Sequence, residues 1–405
     1  MHILEVAALL QLRRPRARRT ERVLARCVTV EDLRAEARRR WPRGVRGYVE
    51  GGADGEVSLR RNRAAFEAVE LVPAVLRDVS TVDLATDLFG CASALPFALG
   101  PTGFTRMMHP DGELASARAA LRAGVPYTLS TMATVALEDV AREGGQLWFQ
   151  LYVWRDRGLT RELLRRAQVA GYRVLVVTVD TPVTGLRARD HHNGFTLPPR
   201  LTPSALADMA MHPAWCLGLL RGAPITFANF AAEVSATSET VMEFAARQFD
   251  PSVTWDDLAE IRAMWAGPML LKGMLGRDDA RRAQDAGMDG IALSNHGGRQ
   301  LDQTVPPIRA LEGIREAVGP QMPILVDSGI RHGADIAIAL AAGATGALIG
   351  RPYLYGLGAA GQAGCEAAIR MLADELSRAM RLLGVRTADE LRQRGGEALH
   401  VSHTT

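Results

Sequence analysis

Short apolar runs recur along the chain from residue 96 onward, each followed by a polar or glycine break and then by an amphipathic stretch. Runs of this length, without polar residues at alternate positions, are typical of strands that are buried on both faces of a parallel sheet. The pattern therefore predicts eight strands, at Pro96–Gly100, Tyr127–Leu129, Leu147–Leu151, Val174–Val179, Met269–Leu271, Gly290–Leu293, Pro323–Val326 and Gly346–Ile349.

Between these runs, apolar residues return with the spacing of amphipathic helices. The clearest predicted helices are Gly112–Ala123, Thr160–Ala170, Asp278–Ala286 and Gly333–Ala342. Eight alternating strand and helix units predict an α/β fold, a parallel (β/α)8 TIM barrel. An open doubly wound sheet is the alternative, and the count of eight favours the barrel.

The predicted units leave two long segments outside the regular repeat. We expect a helical extension before the barrel, and residues 196–255, after strand four, are too long for a simple connection and indicate a functional loop or lid. We therefore divide the chain into a loose basic extension (1–28), a single barrel domain (29–395) and a tail (396–405).

Composition narrows the class of protein. The 405 residues are 47% hydrophobic and 23% charged, as in a soluble globular protein with a complete core. The net charge of +3 is spread through the chain, which argues against a dedicated nucleic-acid surface. The four cysteines are far apart, and no apolar run approaches the roughly 18 residues of a membrane span. These features favour a cytoplasmic protein without disulfides or a zinc site.

Hydrogen-bonding residues or glycines follow almost every predicted strand. Active sites of TIM barrels lie at the carboxyl ends of the strands, so these residues are candidates for one shared site. They are Pro101, Thr102, Gly103, Ser130, Gln150, Tyr152, Thr178, Asp180, Lys272, Ser294, His296, Asp327, Gly350 and Arg351.

The segment Ser294–Asp302 (SNHGGRQLD) carries the most specific chemistry. His296 is a proton acceptor, and Arg299 is a planar cation that can bind a carboxylate through two hydrogen bonds. The glycines between them allow the backbone to approach a ligand closely. A base beside a carboxylate anchor is what chemistry on the carbon next to a carboxylate requires.

Two further features concern charge at the strand ends. Lys272 is the sole lysine among 48 basic residues, which indicates a position where a compact ammonium is needed. The loops after strands seven and eight are the usual phosphate-binding region of a TIM barrel. Arg331 and Arg351 could hold a phosphate there, and Asp327 could accept hydroxyl protons from a sugar-like chain.

Taken together, these residues resemble the FMN-dependent 2-hydroxy-acid oxidase and dehydrogenase family, over roughly residues 29–395. The family includes glycolate oxidase, flavin-type lactate dehydrogenase and mandelate dehydrogenase. The motifs that carry the resemblance are Tyr48–Asp54 (YVEGGAD), Gly100–Gly103 (GPTG), Leu129–Thr131 (LST), Phe149–Tyr152 (FQLY), Thr178–Pro182 (TVDTP), Leu271–Gly273 (LKG), Ser294–Asp302, Asp327–Arg331 (DSGIR) and Ile349–Arg351 (IGR).

The resemblance implies a role for each site residue. His296 would be the base with Asp180 as its partner, and Lys272 would stabilise the negative charge that collects on the flavin. Arg187 and Arg299 would bind the substrate carboxylate, and Tyr48 and Tyr152 its oxygens. The cofactor-binding residues would be Pro101, Thr102, Gly103, Ser130, Gln150, Thr178, Lys272, Ser294, Asp327, Gly329, Arg331, Gly350 and Arg351.

The implied reaction is oxidation of an (S)-2-hydroxy acid, lactate- or mandelate-like, with electrons passing from FMN to a quinone, a cytochrome or oxygen. The sequence does not choose between hydride transfer and carbanion formation. Gly103 stands where many oxidases of the family have alanine, and Met132 stands where glycolate oxidase has a bulky aromatic residue, which favours a larger, aromatic substrate side chain. Gly103 also resembles the dehydrogenase branch, so we expect poor use of oxygen.

The resemblance also implies partners for this chain. Relatives form tetramers, and in some the region matching 196–255 docks on a membrane, so we consider both a lid and a peripheral contact at the inner membrane face.

An oxidative tailoring enzyme with a larger or peptide-derived substrate is the alternative function, although Ser294–Asp302 is intact. A non-enzymatic flavoprotein would be expected to lack the base or an anchor. The G-x-G-x-x-G at Gly356–Gly361 lacks a following strand and indicates close helix packing.

Overall fold

The structure, a computed structural model, describes residues 19–194, 202–222, 224–230 and 241–401. Its strands are β1 (Val69–Leu71), β2 (Thr86–Leu88), β3 (Cys91–Ser93), β4 (Phe97–Leu99), β5 (Tyr127–Ser130), β6 (Leu147–Tyr152), β7 (Val174–Thr178), β8 (Met269–Met274), β9 (Gly290–Leu293), β10 (Ile324–Asp327), β11 (Gly346–Ile349) and β12 (Leu399–Val401).

The helices in the described part of the chain are α1 (Arg19–Leu24), α2 (Val30–Arg40), α3 (Arg43–Glu50), α4 (Val57–Glu67), α5 (Gly112–Ala123), α6 (Leu137–Ala141), α7 (Arg157–Val169), α8 (Ala188–His192), α9 (Pro203–Ala210), α10 (Pro213–Arg221), α11 (Val241–Gln248), α12 (Trp255–Met264), α13 (Arg277–Asp285), α14 (Pro307–Val318), α15 (Gly333–Ala341), α16 (Arg351–Leu382) and α17 (Ala388–Arg394). Short 3₁₀ turns lie at Thr105–Met107, Ala228–Phe230 and Gly395–Ala398.

Strands β4 to β11 form a closed parallel barrel, in the order β10-β11-β4-β5-β6-β7-β8-β9. The predicted (β/α)8 barrel is therefore confirmed, and the doubly wound alternative is wrong. The predicted N-terminal helices and the long segment after the fourth barrel strand are also present. Most of the predicted extension at 1–28 lies outside the described residues.

Side chains inside the barrel follow from the two-residue repeat of a strand. Ala98, Trp148, Val176, Leu270 and Leu325 form one buried apolar cluster inside the barrel, whereas their chain neighbours join the larger core beneath the helices. Since both faces of every strand are covered, most strand residues are apolar, as the sequence pattern indicated.

A hairpin made of β2 and β3 adds three side chains to the apolar cluster inside the barrel. Leu88, Phe89 and Cys91 join this cluster, and the Phe89 ring meets Trp148 edge to face at 5.7 Å. The hairpin can turn this tightly because Phe89 and Gly90 both have positive φ, at 58° and 73°. The hairpin therefore completes the core inside the barrel.

Helix α16 packs against the N-terminal helices and kinks at Ala360 and Gly361. Its glycines allow close approach, since a Cβ on Gly358 would lie 2.0 Å from Trp41 and one on Gly356 would lie 2.2 Å from the Gly364 carbonyl oxygen. The glycine pattern of this segment thus serves helix packing. None of the helices in the described part of the chain has the length and apolar character needed to cross a membrane.

We expect Leu88→Ala to destabilise the protein by about 2–5 kcal/mol, because it leaves a cavity in a fully buried core. The urea midpoint of unfolding, followed by circular dichroism, measures this change. Val75→Ala is the matched control, since Val75 is 79% exposed and should change stability by less than about 0.5 kcal/mol. Equal midpoints for the two variants would contradict the role of the hairpin.

Candidate active site

A layer of polar side chains continues the inward-facing positions of the barrel strands. The Ser130 hydroxyl donates to Gln150 Oε1 at 3.1 Å, and Gln150 Nε2 donates to Thr178 Oγ1 at 3.0 Å. Gln150 and Thr178 lie two positions beyond the inward-facing apolar residues Trp148 and Val176, so they follow the same face of their strands. Ser130 and Thr178 line a cavity at the carboxyl ends of the strands, where the sequence predicted the site.

The lone lysine belongs to a second part of this layer. Lys272 Nζ donates to the Ser294 hydroxyl at 3.0 Å and lies 3.2 Å from Asp327 Oδ2. The Ser294 hydroxyl donates to Asp327 at 2.6 Å and accepts the backbone N–H of His296 at 2.9 Å. The ammonium is buried, so the carboxylate and the hydroxyl compensate for its lost hydration.

His296 stands between two partners at the cavity wall. Its Nδ1 lies 3.0 Å from Asp180 Oδ1, and its Nε2 lies 3.4 Å from the Tyr152 hydroxyl. A carboxylate at Nδ1 favours the tautomer with the proton on that nitrogen, which leaves Nε2 as the proton acceptor on the cavity side. The pair thus has the geometry of a general base with an orienting carboxylate.

The surroundings keep this base neutral and its partner charged. Burial lowers the pKa of His296 below its ordinary value, and Lys272 lowers it further, although Asp180 opposes both. Burial by itself would raise the pKa of Asp180, but the hydrogen bond from the neighbouring His296 ring and the charge of Lys272 lower it below its ordinary value. Burial also raises the pKa of Tyr152, so its phenol stays protonated and can donate.

Two guanidinium groups flank Tyr48 at the same cavity. The Arg299 Cζ lies 4.7 Å from the centroid of the Tyr48 ring, and the Arg187 Cζ lies 5.8 Å from the same centroid. Burial and the nearby charge of Arg187 lower the pKa of Arg299. Asp190 accepts a hydrogen bond from Arg187 Nε at 2.9 Å, which fixes that side chain. An anion bound between the two cations would offset their repulsion.

The loops after β10 and β11 form the other end of the cavity. Gly329, Arg331, Gly350 and Arg351 line it, and α16 begins there without a side-chain cap. The start of a helix offers backbone N–H groups that suit a phosphate. The Arg351 guanidinium, however, donates to three backbone carbonyls, at Val49, Gly51 and Gly297. Its side chain therefore ties the N-terminal segment to the loop that carries His296.

Most predicted site residues line this one cavity. They are Tyr48, Pro101, Thr102, Gly103, Ser130, Tyr152, Thr178, Arg187, Lys272, His296, Arg299, Asp327, Gly329, Arg331, Gly350 and Arg351. The other three hold lining residues from behind: Asp180 contacts His296, Gln150 contacts Ser130 and Thr178, and Ser294 contacts Lys272.

Sequence reasoning missed several lining residues. Ala245 and Phe249 reach the cavity from the end of the long segment after β7, where no motif marks them. Gln300 joins the cavity and donates to the backbone carbonyls of Asp180 and Val183, both at 2.9 Å. Its position inside the SNHGGRQLD motif is the signal that could have identified it.

Comparisons with known proteins find similar sequences and structures over most of the chain. A family model described as FMN-dependent dehydrogenase matches residues 37–396. An L-lactate dehydrogenase of Caulobacter vibrioides is 45% identical over 359 residues, covering 88% of this chain and 94% of the relative. A crystal structure of the monotopic membrane protein (S)-mandelate dehydrogenase has a TM-score of 0.89 at 37% identity, covering 93% of this chain and 100% of that one. A mandelate oxidase solved with (S)-4-hydroxymandelic acid has a TM-score of 0.81 at 42% identity, covering 92% and 98%.

We expect the His296 imidazole to titrate below the ordinary histidine range, and Asp180→Asn to move its pKa lower still. The reason is that burial disfavours the imidazolium while Asp180 stabilises it. NMR of histidine-labelled protein over a pH series measures both shifts. His332 is an internal control, because its hydrogen bond to Glu375 raises its pKa and the variant leaves that pair intact. A rise in the His296 pKa in the variant would contradict the assignment.

Proposed function

Because the chain belongs to the FMN-dependent dehydrogenase family, we propose that it oxidises an (S)-2-hydroxy acid to the 2-oxo acid. One observation carries the proposal: His296, whose Nδ1 faces Asp180, lines the same cavity as the guanidinium groups of Arg187 and Arg299. A 2-hydroxy acid has a carboxylate for the two cations, and the adjacent carbon bears the hydroxyl and hydrogen on which the base acts.

The residues present fit FMN. The hydroxyls of Ser130 and Thr178, which Gln150 holds from behind, offer donors and acceptors to a flat polar ring, and Lys272 offers a fixed positive charge. Gly329, Arg331 and the start of α16 would hold a phosphate. When bound, FMN supplies the two-electron acceptor of the oxidation and passes the electrons on.

The chain's own side chains would bind, orient and deprotonate the substrate. Arg187 and Arg299 bind its carboxylate, and the phenols of Tyr48 and Tyr152 hold its oxygens. His296 Nε2 takes a proton from the substrate, and Asp180 stabilises the imidazolium that results. Because burial keeps His296 neutral, the base is in its active form at neutral pH and loses activity as the pH falls.

Apolar residues line the rest of the cavity. Phe104, Met132, Ala245 and Phe249 offer no charge to a polar substrate side chain, which favours an apolar one. A Cβ on Gly103 would lie 3.2 Å from the Met132 Cβ, so glycine preserves space at this wall. Similarity to lactate dehydrogenases and to mandelate enzymes also supports a small 2-hydroxy acid with an apolar side chain. A lactate- or mandelate-like acid is therefore preferred to the peptide-derived substrate of a tailoring enzyme.

We also infer a peripheral attachment to the inner membrane face through α9 and α10, which would bring the enzyme to a quinone acceptor. These two helices bury none of their residues. Leu206, Met211, Leu217 and Leu220 are among the exposed apolar side chains of the described residues. One structural neighbour is titled a monotopic membrane protein. Assembly as a homotetramer, which light scattering would measure, remains an expectation.

Anaerobic stopped-flow absorbance tests the proposed reaction. We expect (S)-mandelate or (S)-lactate to bleach the flavin of the wild-type protein, and His296→Gln to lower the limiting rate by at least about 100-fold, because the base is lost. The variant should retain FMN, which its visible absorbance shows. (R)-Mandelate is the substrate control, and reduction of His296→Gln at the wild-type rate would refute the role of this residue.

Vesicle sedimentation tests the membrane attachment. We expect the wild-type protein to sediment with anionic phospholipid vesicles, and Met211→Ser with Leu220→Ser to weaken binding by about tenfold or more, because buried apolar area is lost. Leu382→Ser is the matched control, since Leu382 is 65% exposed elsewhere on the surface. Equal binding of all three proteins would exclude this surface.

A further inference from the structure

Helix α4 precedes the barrel strands in the sequence. Two adjacent residues of this helix nevertheless contact two loops of the candidate site, one loop each. Asn62 contacts the loop that carries His296, and Arg63 contacts the loop after β10. Neither residue lines the cavity, and the roles described above do not use either one.

The contact of Asn62 is a reciprocal pair of side-chain amides. Asn62 Nδ2 donates to Asn295 Oδ1 at 2.8 Å, and Asn295 Nδ2 donates to Asn62 Oδ1 at 2.7 Å. The two residues are 2% and 5% exposed, so water cannot readily replace either hydrogen bond. Asn295 Oδ1 also accepts the backbone N–H of Gly298 at 3.1 Å. The pair thus fixes the loop on both sides of His296.

This loop needs external support because its backbone is strained. His296 has φ of 58°, a left-handed conformation that a residue with a side chain adopts at a cost, and Gly297 and Gly298 follow with φ of 66° and 76°. Such a conformation persists only where several contacts determine it. The amide pair supplies two of them directly beside the base.

The same helix is tied to the loop by its N-terminus. Asp302 accepts the backbone N–H groups of Val57 at 3.1 Å and Ser58 at 2.7 Å, so it caps α4 from the far end of the SNHGGRQLD motif. A Cβ on Gly298 would lie 2.7 Å from the Leu59 backbone nitrogen, which shows how closely helix and loop approach. The helix and the loop are therefore joined at both ends of the SNHGGRQLD motif.

Arg63 makes the corresponding contact on the cofactor side. Its Nη1 donates to the Gly329 carbonyl and to Asp335 Oδ2, both at 2.6 Å. Asp335 Oδ2 also accepts the backbone N–H groups of Arg331 at 2.7 Å and His332 at 2.9 Å. Arg63 thereby fixes the backbone that presents Gly329 and Arg331 to the cavity.

We propose that Asn62 and Arg63 are positioning residues with separate tasks: Asn62 orients the base His296 through Asn295, and Arg63 shapes the FMN phosphate loop through Asp335. This inference rests on the proposed function. Because the residues are adjacent on one helix but face different loops, their loss should affect different steps of the enzyme.

The first arm of the test concerns Asn62. We expect Asn62→Asp, which keeps the shape but loses the donor, and Asn62→Leu to lower the limiting rate of flavin reduction by about 10- to 100-fold, because the base is misplaced. The dissociation constant of FMN, measured by flavin fluorescence, should stay within about twofold. If Asn62→Leu fails to fold, Asn62→Asp still gives the result. In the double variant with Asn295→Leu the two rate losses should combine to less than their product, since both changes remove the same pair of hydrogen bonds.

The second arm concerns Arg63. Arg63→Gln should weaken FMN binding by about tenfold or more, because charge-assisted hydrogen bonds to the loop are lost. At saturating FMN its rate of flavin reduction should stay within about twofold of wild type. Arg61→Ala, on the exposed face of α4, is the matched control and should change neither quantity. A wild-type rate of flavin reduction in both Asn62 variants would overturn the role of Asn62, and wild-type FMN affinity in Arg63→Gln would overturn the role of Arg63. A variant that loses both the reduction rate and the FMN affinity would also contradict its assignment.

The wild-type protein separates this inference from the proposed function. If no 2-hydroxy acid reduces the wild-type flavin, the proposed function fails and the Asn62 role fails with it, while FMN binding by Arg63→Gln still tests the second role. If the wild type is reduced and the Asn62 variants keep the wild-type rate, the reaction stands and the Asn62 role is wrong.

Discussion

The alternation of side chains along parallel strands is the constraint on which the rest of the structure depends. In a closed barrel every second side chain points to the axis, so each strand contributes to a stack of layers. Here the lower layers are apolar, with Trp148, Val176 and Leu270, and the top layer is polar, with Gln150, Thr178 and Lys272. The inward-facing residues thus change from apolar to polar along each of these strands. As a result, the upper end of the barrel core is the polar surface on which a ligand could bind.

That polar floor determines the electrostatics above it. Buried charges are tolerated because they form a connected set, in which Lys272 neighbours both Ser294 and Asp327, and Asp180 neighbours His296. The same burial lowers the pKa of His296 and so favours its neutral form, as the proposed base requires. The strained loop that presents this base is supported from outside the barrel by α4, so the N-terminal helices contribute to the site as well as to the core.

Most of the fold could be predicted, because parallel strands buried on both faces leave an unambiguous apolar signal. The strands Gly290–Leu293 and Gly346–Ile349 and the helix Gly112–Ala123 have the predicted bounds, and the others differ by a few residues, with β8 extending to Met274 beyond a register shift. The β2–β3 hairpin had no such signal, because its three-residue strands are too short to show a period. The positions of Ala245 and Phe249 at the site could not be predicted either, because they depend on how a long segment folds back over the barrel.

The sequence by itself determined the eightfold repeat, the position of polar residues at the strand ends and the candidates for the base and its anchors, since these depend on local periodicity and on residue chemistry. Only the tertiary structure decided how those groups pair. Arg351 was predicted to hold a phosphate, but its guanidinium binds three backbone carbonyls, and Asn62 gave no signal although it pairs with Asn295, 233 positions away. Partners so distant in the chain are chosen by barrel closure and helix packing, and no local pattern encodes that choice.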